Sequence, residues 1–298
     1  MNDEPRSSSA RFMGMKTLPL AVVAVVLHLS GCAKVERQRP PYFGPTETMA
    51  QVVRHVNENN LAIDTIWARH SFEATLVDDK GKSRTFSGDG NLLFAKPDNL
   101  LLTAKSTLIN FFEIGINDQR YWFTAYPDEV STQWYGDKDK LTDAGARQIP
   151  IRPDLLLEVL GVSPISEDFM TPPAPTMRFN NDDWSYMFIW NKPLTNRWVA
   201  EKEVWYDKDT YLPKLVELFD ANGRIILRAY LSDHQTIEGS KGKIATRYSL
   251  FFPDTKSQMS FHLSDIRKEL VKGRVHIPNP ASFAFPEEPG VKKQIEIK

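Results

Sequence analysis

From Thr65 onward the chain is a succession of short strand-like segments cut by turn signals, a rhythm that restricts it to a mainly antiparallel β fold. Strands are expected over 71–77, 83–94, 100–104, 110–116, 120–126 and 130–135. They resume over 184–190, 198–206, 212–219, 224–231, 244–252 and 256–263. Asn222-Gly223 falls between two of these, and both residues tolerate the positive φ that a tight hairpin turn requires. Asp78-Asp79-Lys80-Gly81 and Lys96-Pro97-Asp98-Asn99 mark further turns.

Only two segments break the pattern. Met49, Val52, Val53 and Val56 recur at the spacing of one helical face, and Thr48 with Gln51 three residues on can form a capping box. In 153–160, Pro153 stands at a helix start and Gly161 just past its end, with Leu155, Leu156, Val159 and Leu160 as the apolar side. The proline-bearing stretch 162–175 is expected to loop over the surface, and the tail, with Pro278, Pro280, Pro286 and Pro289, to run extended. No repeat of fixed period and no internal boundary interrupts the strands, which fits one domain over 46–298.

The N-terminal region carries a different signal. Arg6, Arg11 and Lys16 precede the uncharged run from Thr17 to Leu29, which is too short to span a bilayer. It closes on Leu29-Ser30-Gly31-Cys32, which resembles the lipobox at which bacterial lipoprotein leaders are cut before an acylated cysteine. The expected organisation is a signal peptide over 1–31, a lipidated tether over 32–45 and the β domain beyond. An ordinary secretory signal or an uncleaved interfacial segment is the alternative. Two or three acyl chains on Cys32 would hold the protein durably on a membrane, whereas one binds only marginally. Ala33 stands where an aspartate often marks inner-membrane retention, which points to the outer membrane, facing the periplasm. Cys32 is the only cysteine, so its use as an anchor leaves no thiol for a disulfide, a zinc-thiolate site or a nucleophile.

The rest of the sequence offers little chemistry. Lys and Arg total 37 against 38 Asp and Glu, so no basic excess points to nucleic acid. None of His28, His55, His70, His234, His262 and His276 pairs with another at metal-ligand spacing, and no Gly-x-Ser-x-Gly elbow occurs. Gly239-Ser240-Lys241-Gly242-Lys243 lacks the spacing of a phosphate loop, and Asp207-Lys208-Asp209 reads as a turn rather than a calcium loop. No enzyme activity, cofactor or metal is expected. The aromatic content, 11%, is instead concentrated in strands. Trp184, Tyr186, Phe188 and Trp190 alternate on one side of their segment, and Phe112, Ile114 and Ile116 on another. Such residues either fill a core or line an apolar cavity, and residue type alone favours the core.

Several stretches together resemble the outer-membrane lipoprotein carrier proteins of the LolA/LolB type. Gly88-Asp89-Gly90-Asn91-Leu92-Leu93-Phe94-Ala95-Lys96-Pro97-Asp98 is similar to their "G-x-G-x-L" strand, and 116–127, with Asn117-Asp118 and Trp122, to a "D-G-x-x-x-W-x-x-x-P" hairpin in which Gln119 replaces the glycine. The turns at Tyr206 to Pro213 and Phe219 to Gly223 match paired hairpins of the second half, and Phe283-Ala284-Phe285-Pro286 with Gly290-Val291 a closing motif. The resemblance implies an unclosed antiparallel half-barrel of about eleven strands whose concave face is covered by helices. It also implies an apolar cavity that binds lipid or the acyl chains of other lipoproteins, in lipoprotein transport or localisation. The candidate cavity residues are Phe94, Leu100, Leu102, Phe112, Ile114, Trp122, Trp184, Tyr186, Phe188 and Trp190. The alternative is an envelope lipoprotein that reuses the fold with a filled core, carries no lipid and holds a protein partner.

Overall fold

The structure, a computed structural model, describes residues 40–77, 81, 83–106, 109–128, 131–140, 149, 151–254 and 256–297. The segment Leu29–Cys32, expected to be a lipobox, and most of the turn expected at 78–81 therefore lie outside the described residues. The chain divides into Met1–Pro40 and Pro41–Lys298, and every core residue described belongs to the second unit.

Both expected helices form as their sequence signals dictate. Helix α1 (Met49–Leu61) carries the Thr48 capping box and buries Val52, Val53 and Val56. Helix α2 (Pro153–Leu160) begins on Pro153 and ends at Gly161, whose φ of 67° is the left-handed C-cap that glycine adopts without strain.

The remaining regular structure is mostly sheet. Its first half comprises β1 (Thr65–Val77), β2 (Ser83–Ala95), β3 (Asn99–Lys105), β4 (Asn110–Ile116), β5 (Arg120–Ala125) and β6 (Thr132–Asp137). The second comprises β7 (Ala174–Asn180), β8 (Ser185–Leu194), β9 (Arg197–Asp207), β10 (Pro213–Phe219) and β11 (Ile225–Ser232). There follow a small hairpin β12 (Gln235–Thr236) and β13 (Lys243–Ile244), the long pair β14 (Arg247–Phe252) and β15 (Ser257–Arg267), and a second hairpin β16 (Leu270–Lys272) and β17 (Val275–Ile277). Strand β18 (Lys293–Glu296) ends the chain's described strands.

Fourteen strands join one sheet in the order β18-β6-β5-β4-β3-β2-β1-β15-β14-β11-β10-β9-β8-β7. All pairings are antiparallel except that of β18 with β6. The count exceeds the expected eleven partly because β18 forms in the tail and β7 begins inside the proline-rich stretch expected to loop. Strand β7 pairs only with β8, and an edge strand tolerates the missing N–H of Pro175. Among the described residues the two edge strands, β18 and β7, do not pair with each other, so the sheet is unclosed.

The sheet is also strongly curved. Helix α2 touches β4 and β5 on one side and β10 on the other. Seven strand spacings separate β4 from β10, which at about 4.8 Å each is roughly 34 Å in a flat sheet. A helix of eight residues is only about 12 Å long. Both contacts exist because the sheet wraps around the helix, giving a half-barrel with α2 on its concave face.

Cross-strand register fixes which side chains share that face. In the first half a row runs through Ala68, Leu92, Leu102, Ile114, Phe123 and Trp134. In the second half it runs through Met259, Leu250, Ala229, Val216, Val204 and Phe188. Among the described residues the convex face is covered over the first half. Phe283, in a short 3-10 turn (Pro280–Phe283), packs on Trp67 and Leu93, and Phe285 packs on Trp122 and Tyr135.

The compact unit starts at Pro41, earlier than the boundary at residue 46 expected from composition. The Tyr42 amide donates to the Asn181 carbonyl at 2.9 Å, and the Tyr42 ring meets Phe179 and Trp184 with the Lys208 ammonium over its face. Residues 41–45 thus include part of the folded unit rather than tether alone.

Candidate functional site

Between α2 and the curved sheet lies an apolar void of about 30 Å³. Its floor is Leu92, Leu100 and Leu102 from β2 and β3, with Phe261 and Leu263 from β15 and Tyr248 from β14. Its roof is the underside of α2, namely Leu156, Val159 and Leu160. The inward residue of β1 beside Leu92 is Ala68, whose single methyl leaves space that its larger neighbours rim. A volume of this size is about the share of one water molecule in the liquid. Ligand sites usually measure about 300–1,000 Å³, so with α2 seated the void is far smaller than such a site.

Polar contacts hold the roof from two directions. Lys202 projects inward from β9, where its cross-strand neighbours Trp190 and Leu218 are both buried. Its ammonium lies 2.6 Å from Glu158 of α2 and 4.6 Å from the centre of the Trp190 ring. Burying a charge on an apolar face is costly unless it is paired, and Glu158 and Trp190 supply an ion pair and a cation–π contact. On the far side of α2, Asn57 of α1 forms two hydrogen bonds with the Ile165 backbone, each 2.8 Å. Asn60 donates to the Ser163 carbonyl at 2.9 Å, and Lys96 donates to the Asn60 carbonyl at 2.7 Å. Helix α1 is thereby fastened both to the segment that follows α2 and to the β2–β3 turn.

Among the described residues, three buried polar atoms on the concave face have no hydrogen-bond partner within normal geometry: His70 Nδ1, Tyr121 Oη and Tyr248 Oη. His70 lies across Gly90, where a Cβ would be 2.6 Å from its Nε2, and pairs that nitrogen with the Thr103 carbonyl at 2.9 Å. Burial holds His70 below the ordinary imidazole pKa, so it is neutral. Burial likewise raises the pKa of Tyr121 and Tyr248, which keeps both phenols protonated.

Eight of the ten residues named from sequence as cavity candidates lie on the concave face. Phe94 and Leu100 oppose each other and Ile116 in one row, while Leu102 and Ile114 share the row of Leu92. Phe112 stacks near Phe123, and Tyr186, Phe188 and Trp190 alternate inward along β8. Only Leu100 and Leu102 of these border the void. The other two are elsewhere. Trp122 faces the convex side, opposite Gly115 and Tyr135, with its Nε1 donating to Glu113 at 2.9 Å. Its neighbours Tyr121 and Phe123 occupy the concave side, and alternation leaves Trp122 the other one. Trp184 sits in the turn before β8 at a φ of 51°, against Tyr42 and Lys208.

Sequence reading missed Tyr248, Phe261 and Leu263 as site residues. Their signal was present: Met259, Phe261 and Leu263 alternate with Gln258, Ser260 and His262, the period of a strand with one buried face. The pairing of Lys202 with Glu158 had no local signal. Among the described residues no group of histidine, cysteine and carboxylate side chains is placed to hold a metal. Asp207 instead closes the β9–β10 turn, accepting from the Asp209 and Thr210 amides.

No family model matches the chain, and no curated protein matches it. Among solved structures it is similar to a LolA-superfamily protein from Nitrosomonas europaea, at 12% identity and a TM-score of 0.47, over 76% of this chain and 96% of that one. It is also similar to a DUF1329-family protein from Desulfovibrio piger, at 12% identity and a TM-score of 0.48, over 80% of this chain and all of that one.

Proposed function

We propose that the protein is a lipid-anchored component of the bacterial cell envelope that holds the acyl chains of a lipid or lipoprotein against the concave face of its half-barrel. Catalysis is no part of this reading. The observation that carries it is the seating of α2: an eight-residue amphipathic helix covers an apolar floor and leaves an apolar void beneath it. Displacing α2 exposes Leu156, Val159 and Leu160, a cost of about 5–9 kcal/mol at 1.5–3 kcal/mol per aliphatic side chain. A chain of about sixteen carbons recovers roughly 12 kcal/mol at about 0.8 kcal/mol per CH₂. Exchange of the helix for an acyl chain is therefore affordable within the physics of burial. The lipobox at Leu29-Ser30-Gly31-Cys32 supports the envelope assignment, with the outer membrane favoured by Ala33.

The smallness of the void favours a second reading, in which the face is permanently filled and the protein serves an envelope assembly through a protein partner. Titrating Pro41–Lys298, the unit that carries the whole described core, with an apolar fluorophore separates the two. Saturable binding at one site, reversed by added phospholipid, supports the lipid reading. Fluorescence that never saturates overturns it.

A further inference from the structure

We infer that the Tyr248 hydroxyl is a polar anchor of the acyl site and donates a hydrogen bond to the ester or amide carbonyl of the bound chain. This rests on the lipid-binding reading above and deepens it. Among the described residues, Tyr248 is the only one bordering the void with a polar side-chain atom, and that atom has no hydrogen-bond partner. Its cross-strand neighbours, Leu231 and Phe261, are apolar. The next residues on the same face are Leu250 and Thr246, and the Thr246 hydroxyl already donates to the Asp233 carbonyl at 2.8 Å. Among the described residues nothing thus satisfies the phenol.

Native proteins rarely leave a buried hydroxyl unpaired, because the orphaned group costs about 1–3 kcal/mol. A water molecule is a poor remedy at this place. It needs two to four polar partners to be held in a cavity, and the lining offers one. A ligand with a single carbonyl at the head of an apolar chain has the matching pattern: one acceptor, then hydrocarbon. Plain hydrocarbon would fill the same face and leave the hydroxyl orphaned. The pair of side chains that would distinguish these ligands is therefore Tyr and Phe at position 248, which differ only in that oxygen.

The test uses Pro41–Lys298 and its Tyr248→Phe variant, with methyl hexadecanoate and nonadecane, equal in heavy atoms, competing against a bound apolar fluorophore. The ester-to-alkane affinity ratio is expected to be about tenfold higher in the wild type than in Tyr248→Phe, the worth of one buried neutral hydrogen bond. The drop in Tyr248→Phe should come from weaker ester binding, with alkane affinity unchanged. An ester-to-alkane ratio that is the same in both proteins overturns the inference and leaves the lipid reading intact. Failure of both ligands to compete in the wild type overturns the two together. Since the hydroxyl has no partner, Tyr248→Phe should melt at or above the wild-type temperature. A variant that fails to fold would show the hydroxyl to be bonded in the free protein, and would overturn the premise.

Discussion

Leu156→Ala should make the protein less stable and a better lipid binder at once. Leu156 lies on the underside of α2, 5% exposed, and borders the void. The substitution removes three carbons, a transfer loss of about 2.4 kcal/mol at 0.8 kcal/mol each. The space they leave adds a cavity term, so a total near 3 kcal/mol falls within the usual 2–5 kcal/mol range for buried Leu→Ala. That energy stabilises only states in which α2 is seated. If acyl chains bind after α2 leaves, the apparent affinity is the intrinsic one reduced by the fraction of open molecules. Raising the seated state by about 3 kcal/mol then tightens apparent binding by roughly 100-fold, up to the intrinsic limit. The assay is a fluorescence titration with a sixteen-carbon acyl probe, alongside urea unfolding. The control is Leu93→Ala, which removes the same atoms from the convex cluster with Trp67 and Phe283. It should cost a similar amount and leave affinity unchanged. Equal or weaker probe binding in Leu156→Ala, with stability lowered as calculated, would refute the reasoning that α2 is exchanged for the ligand.

Other consequences can be checked on their own. Burial raises the Glu113 pKa in the folded state, so its carboxylate penalty is absent below the unfolded-state pKa and complete above the folded one. Glu113→Gln, which still accepts from Trp122, should therefore raise the melting temperature at pH 7–8, with the gain shrinking towards zero as pH falls below about 4. Gly90→Ala should cost about 3 kcal/mol or more in urea unfolding, because its Cβ would lie 1.7 Å from the Thr103 carbonyl oxygen, a backbone atom that cannot swing aside. Cys32→Ser should abolish metabolic labelling with a fatty acid and remove the protein from the detergent-extracted membrane fraction; retained labelling would rule out acylation at this cysteine.

Local features were legible in the sequence and non-local ones were not. Thr48 with Gln51 and Pro153 with Gly161 each act within a few residues and form the cap their chemistry specifies, and Asn222-Gly223 falls in the β10–β11 turn, where Gly223 alone of the two takes a positive φ, 78°. Alternation likewise placed Phe112, Ile114, Tyr186, Phe188 and Trp190 on one face. It failed at Tyr121-Trp122-Phe123, where both faces are covered and apolar, so periodicity carries no sign and only the register with Gly115 decides. Strand β18 depends on a parallel pairing with β6, more than 150 residues away. The role of α2 was hidden for the same reason. Its amphipathic face was evident, but the contacts that make it a roof reach from Leu102 to Lys202, and they exist only because the sheet curves.

Native mass spectrometry of the full chain isolated from bacterial envelopes tests the central claim most directly. The account predicts a species heavier than the protein by one acyl lipid, beyond any covalent acylation, whose extra mass disappears on denaturation. A chain that emerges empty, and stays empty when incubated with phospholipid vesicles, would contradict it.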